Sequence, residues 1–307
     1  MHASRFSRSA LGCALLLFLC CPLIQAADTR FSGAKAFEYT RQFVAIGSRP
    51  PNSEGHIRAE SYLRHQFLND QLEEDAFTAT DTPIGNVRMH NFIVRFPGKK
   101  DGIIVLATHY ETNYPLRNIG FVGANDGAST TGMLLEIANH LRGHIQDGYS
   151  VWLVFFDGEE ALENWWTGND NTYGSRHLAA RWAADGTLKK IKGFLLADML
   201  GDRDLNITRE SNSTPWLLDL VKQAATKFGY QSYFYATTQA VEDDHLPFLR
   251  RGVPCADVID IDYGPHDSDH PDGWHHTADD TLDKVSPKSL TIAGDTFLES
   301  IRLLDLR

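Results

Sequence analysis

The 307-residue sequence has 42% hydrophobic and 22% charged residues, ordinary proportions for a folded protein with material for one large or two small cores. Its 40 acidic residues outnumber its 29 basic ones, for a formal net charge of −11. That balance excludes a phosphate-backbone binder, because no Lys/Arg cluster offsets the repulsion, and nucleic acid is not an expected partner.

The chain opens with a leader. Arg5 and Arg8 precede an apolar run from Ala10 to Ile24, interrupted by Pro22 and closed by "IQAA". Charged, apolar and small-residue regions in that order make a secretory signal peptide, with cleavage near Ala26 or Ala27. At roughly 15 residues the run falls short of the ~20 that span a bilayer. Residues 1–26 therefore read as a signal peptide, a secreted or periplasmic destination is expected, and no membrane attachment remains after cleavage. A lipoprotein signal at Cys20 or Cys21 is the alternative, though bulky residues precede each. The leader holds two of the 29 basic residues and none of the 40 acids, so the remainder carries −13. Cys13, Cys20 and Cys21 leave with it. Only Cys255 remains, an intramolecular disulfide is impossible, and stability must come from packing.

Periodicity predicts helices over 34–46 and 56–72, the second with Ala59, Leu63 and Phe67 at four-residue spacing, separated by the loop "GSRPPNSEG". "FIVRF" (92–96) and "GIIVLATH" (102–109) read as strands joined by the turn "PGKKDG". A helix over 129–141 follows, capped by Ser129 or Thr130. The near-continuous apolar runs at 151–157, 193–200 and 253–261 read as strands covered on both faces. The final helix, 286–304, starts near Pro287 and lines up Leu290, Ala293, Phe297, Ile301 and Leu304. Buried strands alternating with helices predict one α/β domain over residues 28–307, with a mixed, mostly parallel central sheet flanked by helices.

In such sheets functional groups gather beyond the carboxyl ends of the strands. His109 ends one strand, Asp157, Glu159 and Glu160 end another, and Asp198 lies near the end of a third. Asp126 sits in "GANDGAS" before a helix, and His275 and His276 follow the last strand. Asp, Glu and His are oxygen and nitrogen ligands that zinc accepts. With a cation present, the adjacent Glu159 and Glu160 can divide their work, one binding the metal and the other acting as general base or acid.

"ATHYE", "VGANDGAS", "LVFFDGEEA", "LLADMLG" and "HHTADDTLDKVSP" resemble the signature segments of the zinc-dependent M28 peptidase superfamily. "FFDGEEALENWWTGNDNTYGSRHLAA" and "DDHLPFLRRGVP" resemble its glutaminyl-peptide cyclotransferase branch, and the likeness covers roughly residues 34–305. The resemblance implies a zinc aminopeptidase-like three-layer sandwich. It also implies conversion of N-terminal glutamine of peptides or proteins to pyroglutamate, with release of ammonia, on one zinc. Asp126, Glu160 and His276 match the family's zinc ligands, and Glu159 matches its proton-shuttling acid. Asp198 and Asp243 match two further acids of that network, and Trp165 an aromatic of the substrate pocket. M28 aminopeptidases use residues matching His109 and Asp198 for a second zinc, so a two-zinc aminopeptidase is the alternative. Three departures are visible. His275 stands where the cyclases carry Trp and competes with His276 as ligand, Asp257 replaces a His, and the loop "DYGPHDSDHPDG" is longer. Cys255 reads as a buried small hydrophobe. A monomer is the expected working unit.

Overall fold

The apolar runs predicted as strands lie side by side. In a computed structural model that describes residues 1–2, 31–143, 146–163, 166, 168–268, 270–271 and 273–307, they form the centre of one eight-stranded sheet. The expected signal peptide, apart from its first two residues, and Trp165 lie outside the described residues. The strands are β1 (Gln71–Ala79), β2 (Val87–Phe96), β3 (Gly98–His109), β4 (Gln146–Phe156), β5 (Ile191–Asp198), β6 (Ile207–Glu210), β7 (Phe234–Gln239) and β8 (Cys255–Ile259). Their spatial order is β1-β2-β4-β3-β5-β8-β6-β7. The inner four, β4-β3-β5-β8, are parallel neighbours, while β1–β2, β2–β4 and β6–β8 pair antiparallel.

Strand alternation sends side chains into two cores. Ile104, Leu106, Leu153 and Leu195 pack with α1 (Gly33–Val44), α2 (Glu54–Gln66), α3 (Ala128–Leu141), α5 (Pro215–Lys227) and α7 (Pro287–Asp305). Val105, Ala107, Val154 and Phe194 face the other way, onto Leu178 and Trp182 of α4 (Tyr173–Asp185) and Phe248 of α6 (Leu246–Leu249). Two helical layers enclosing a sheet make the expected three-layer α/β sandwich. Cys255 is buried in the second core, its thiol bonded to the Val253 carbonyl.

Several local expectations are corrected. The helix expected over 56–72 stops at Gln66, and from Gln71 the chain becomes β1, whose half-exposed polar pattern hid it. β2 and β3 are linked through Pro97 but are not neighbours, because β4 lies between them. The turn signal was local, whereas the pairing is decided by the long-range partner. Neither Ser129 nor Thr130 caps α3. Gly127 does, at φ +77°, where a Cβ would come within 2.9 Å of His109 Cε1. Ser129 instead donates to the Asn125 carbonyl, and Thr130 bonds Thr108. α4, α5, β6 and β7 are elements that periodicity did not reveal.

Candidate active site

The strands that end at the same sheet edge bring their terminal residues together. His109 closes β3, Glu159 and Glu160 follow β4, Asp198 closes β5, and Asp126 lies in the loop that enters α3. A left-handed turn at His276 (φ 55°) presents its ring to them, and Met199 (φ 52°) bends the chain just after Asp198.

His276 Nε2 lies 3.0 Å from Glu160 Oε1 and 3.4 Å from Asp126 Oδ2. Asn113 donates to the other oxygen of Glu160 at 2.8 Å. A second focus adjoins the first through Asp126, with His109 Nε2 3.0 Å from Asp126 Oδ1 and 3.3 Å from Asp198 Oδ1. His109 Nδ1 faces Glu159 and Glu111 at 3.7 and 3.8 Å. Despite these approaches, neither ring nitrogen of His109 completes a well-aligned hydrogen bond. Asp126 Oδ2, Asp198 Oδ1 and Glu111 Oε2 are likewise buried without one. The carboxylates of Glu111, Asp126, Glu159, Glu160 and Asp198, facing two histidines, are an anionic and incompletely satisfied set. Such burial is costly unless a cation completes it, so the donor set fits a divalent metal such as zinc.

Electrostatics separate these groups. Burial pushes the Glu159 carboxyl well above its usual value, with Asp243 and Glu160 adding repulsion against the pull of His109. Burial also raises Asp243, reinforced by Asp257, Asp198 and Asp244. For Asp126, burial is outweighed by the close approach of the His109 and His276 rings, and its carboxyl lies well below the usual range. Burial and the neighbouring His276 lower His275 to about 3, so it stays neutral.

These groups line a cleft of about 250 Å³. Asp126, Glu159, Glu160, Asp198, Asp243, His275 and His276 form its polar part, and Trp166, Val241, Ile259 and Ile261 its apolar wall. No Lys or Arg lines it among the described residues. Asp157 does not join the cleft. It turns back to His56 Nε2 at 2.8 Å and accepts the His90 N–H at 2.7 Å. His266 and His270, both on the long loop, pair with Asp262 and Asp267. Asp126, His275 and His276 present donor atoms within 4.8 Å of one another, so geometry alone leaves both histidines in reach.

Sequence reasoning missed residues that work from behind. Glu111 accepts the Glu160 N–H at 3.0 Å and Asn125 Oδ1 accepts the Gly201 N–H at 2.7 Å. Glu111 lies in "THYET", two residues beyond His109. That proximity was its one visible signal.

Residues 91–301 match the model of peptidase family M28. The chain is 32% identical over 276 residues to the glutaminyl-peptide cyclotransferase of Boiga irregularis, covering 77% of this chain and 73% of the snake protein. It is 33% identical over 225 residues to that of Drosophila melanogaster, covering 66% of this chain but 61% of the fly protein's length. Among solved structures, an Acidobacteriales bacterium glutaminyl cyclase is 59% identical with a TM-score of 0.89, covering 92% of this chain and 98% of that one. A Porphyromonas gingivalis glutaminyl cyclase is 27% identical with a TM-score of 0.79, covering 89% and 98%. This chain belongs to peptidase family M28 and, within it, to the glutaminyl-peptide cyclotransferases.

Proposed function

We propose that the chain converts the N-terminal glutamine of peptides and proteins to pyroglutamate, releasing ammonia, on one zinc held by Asp126, Glu160 and His276. The observation that carries the reading is His276 Nε2 set between the Glu160 and Asp126 carboxylates at 3.0 and 3.4 Å, inside a cleft free of Lys and Arg among the described residues. When bound, zinc supplies a Lewis acid for the side-chain carbonyl of the substrate glutamine.

The chain's own residues supply the rest. An acid-rich lining favours the cationic N-terminus of a peptide, and the Trp166, Val241, Ile259 and Ile261 wall restricts water around it. Cyclisation needs the α-amine to lose a proton and ammonia to gain one. Glu159 is the group for both transfers, because burial lifts its carboxyl toward the working range of an acid–base catalyst. Asp243 opposes its charge and is itself opposed by Asp198, so the acids cannot all ionise together. Positioning amine and carbonyl of one residue makes the attack intramolecular. Trp165, outside the described residues, is assigned to substrate binding on the strength of the family resemblance. The leader directs the chain to secretion or the periplasm, and among the described residues no helix is long and apolar enough to cross a membrane. A monomer is the working unit of this reading.

Purified protein given a Gln-initiated peptide should release ammonia and yield a product lighter by one ammonia, with about one zinc per chain. Free amino acid released from Leu- or Ala-initiated peptides without cyclisation, and two tightly held zincs, would establish the aminopeptidase instead.

A further inference from the structure

Two buried residues with no part in the chemistry above grip the loop that carries Asp126. Asp280 is fully buried, and all its oxygens face that loop or its support. Oδ1 accepts the Asn125 N–H at 2.8 Å, Oδ2 accepts the Asp126 N–H at 3.1 Å, and the Asp280 carbonyl accepts the Ala124 N–H at 3.4 Å. Three successive amides are thus held by one residue some 155 positions away in sequence. Tyr263, also fully buried, donates its hydroxyl to Asp280 Oδ1 at 2.8 Å.

The same short segment supplies His276. Tyr263 opens it, its carbonyl accepts the Trp274 N–H at 2.9 Å, and the two rings meet edge-on at 5.5 Å. Gly273 permits this return, because a Cβ there would lie 2.1 Å from the Tyr263 carbonyl oxygen. Tyr263, His276 and Asp280 therefore form one brace. Its middle offers an imidazole to the site, and its end holds the backbone of the loop offering the opposing carboxylate. A metal is bound well only if ligands from separate segments are held at fixed separation, and groups behind the ligands set that separation.

We infer that Asp280, seated by Tyr263, is a positioning residue that fixes Asp126 relative to His276, so that the long 262–274 loop contributes to metal affinity. The inference rests on the proposed reading of Asp126 as a ligand. It assigns Tyr263 and Asp280 no contact with substrate or zinc.

The test uses the full chain stripped of zinc and titrated against a chromophoric chelator, for wild type, Asp126→Asn, Asp280→Asn and Tyr263→Phe. Thermal midpoints of the zinc-free proteins serve as the fold control. Asp280→Asn should weaken zinc binding about 10–100-fold, as loss of a group supporting a ligand does. Tyr263→Phe should weaken it about fivefold, the worth of one hydrogen bond, with an unchanged zinc-free midpoint. Excess zinc should restore Tyr263→Phe turnover. If Asp280→Asn does not fold, Tyr263→Phe decides alone. Wild-type zinc affinity in Tyr263→Phe and Asp280→Asn, with lowered zinc-free midpoints, would reduce the brace to a structural tie and overturn the inference. Wild-type affinity in Asp126→Asn would overturn the ligand reading itself, a different failure recorded in a different variant.

Discussion

Two buried charge clusters meet at the end of β4, and they are built on opposite plans. Behind the strand, every acid has its donors. Asp157 binds the His56 ring and the His90 N–H, and Glu60 takes Arg64 at 3.1 Å and His90 Nδ1 at 3.0 Å. The Tyr110 ring stacks on His56, 5.7 Å away and nearly coplanar. Two residues further along, Glu159 and Glu160 enter a set in which both His109 nitrogens and several carboxylate oxygens are buried without hydrogen bonds. His56, Glu60 and Asp157 bring three ligand types within 4.8 Å of one another, as the cleft does. Proximity is therefore a poor criterion for a metal site. The discriminating property is whether the donors are already used on each other, and behind the strand they are.

That contrast can be broken by mutation. Glu159→Gln should lower turnover about a thousandfold while zinc stays bound, whereas Glu160→Gln should lose zinc. Equal zinc loss in both, by elemental analysis, would show that the pair does not divide its roles. Asp157→Ala should act on the other cluster, leaving His56 buried beside an emptied carboxylate position. Urea unfolding should show a loss of about 3–5 kcal/mol, with zinc content of the folded fraction unchanged. Zinc loss there would mean that the clusters are one unit.

A smaller effect sharpens the rule, since Asp260 sits between the two cases. One oxygen accepts the Asn206 N–H at 2.8 Å and the other has no hydrogen bond. Burial pushes its carboxyl up from 3.8 to about 8. The folded protein thus holds this proton more tightly than the unfolded chain. Its stabilisation is complete below the unfolded value near 3.8 and is lost as pH rises through about 8. Asp260→Asn stays neutral, and should melt about 3 °C or more above wild type near pH 9, with the gap closing toward acid pH. A gap independent of pH would assign the effect to packing.

The parallel centre was legible because β4, β3, β5 and β8 are buried on both faces and read as unbroken apolar runs. β1 was not, because "QLEEDAFTA" alternates at a half-exposed margin and follows α2 without a stop signal. The strand-end rule located His109, Asp126, Glu159, Glu160 and Asp198, whose own side chains meet at one sheet edge. Glu111, Asn113 and Asp280 escaped it because they act through backbone amides or another side chain, and such partners depend on how distant loops meet. Asp157 was assigned to the cleft by position alone. It continues the strand's alternation onto His56 of α2, and the left-handed Gly158 (φ 65°) turns the chain before Glu159.

The connection at Pro97 bears on how the chain assembles. Residues 96 and 98 belong to strands two sheet spacings apart, about 9–10 Å, and β4 fills the gap between them. Until β4 has been made, the edges of β2 and β3 that flank its slot have no native partner. The slot closes only when residues 146–156 arrive and hydrogen-bond to both sides. A nascent chain halted after α3, or a fragment ending there, would leave three strand edges without their native partners, one on β2 and both on β3. Such edges recruit strands from other molecules. The segment that leads into Glu159 and Glu160 thus also covers the facing edges of β2 and β3, leaving the other edge of β3 to β5.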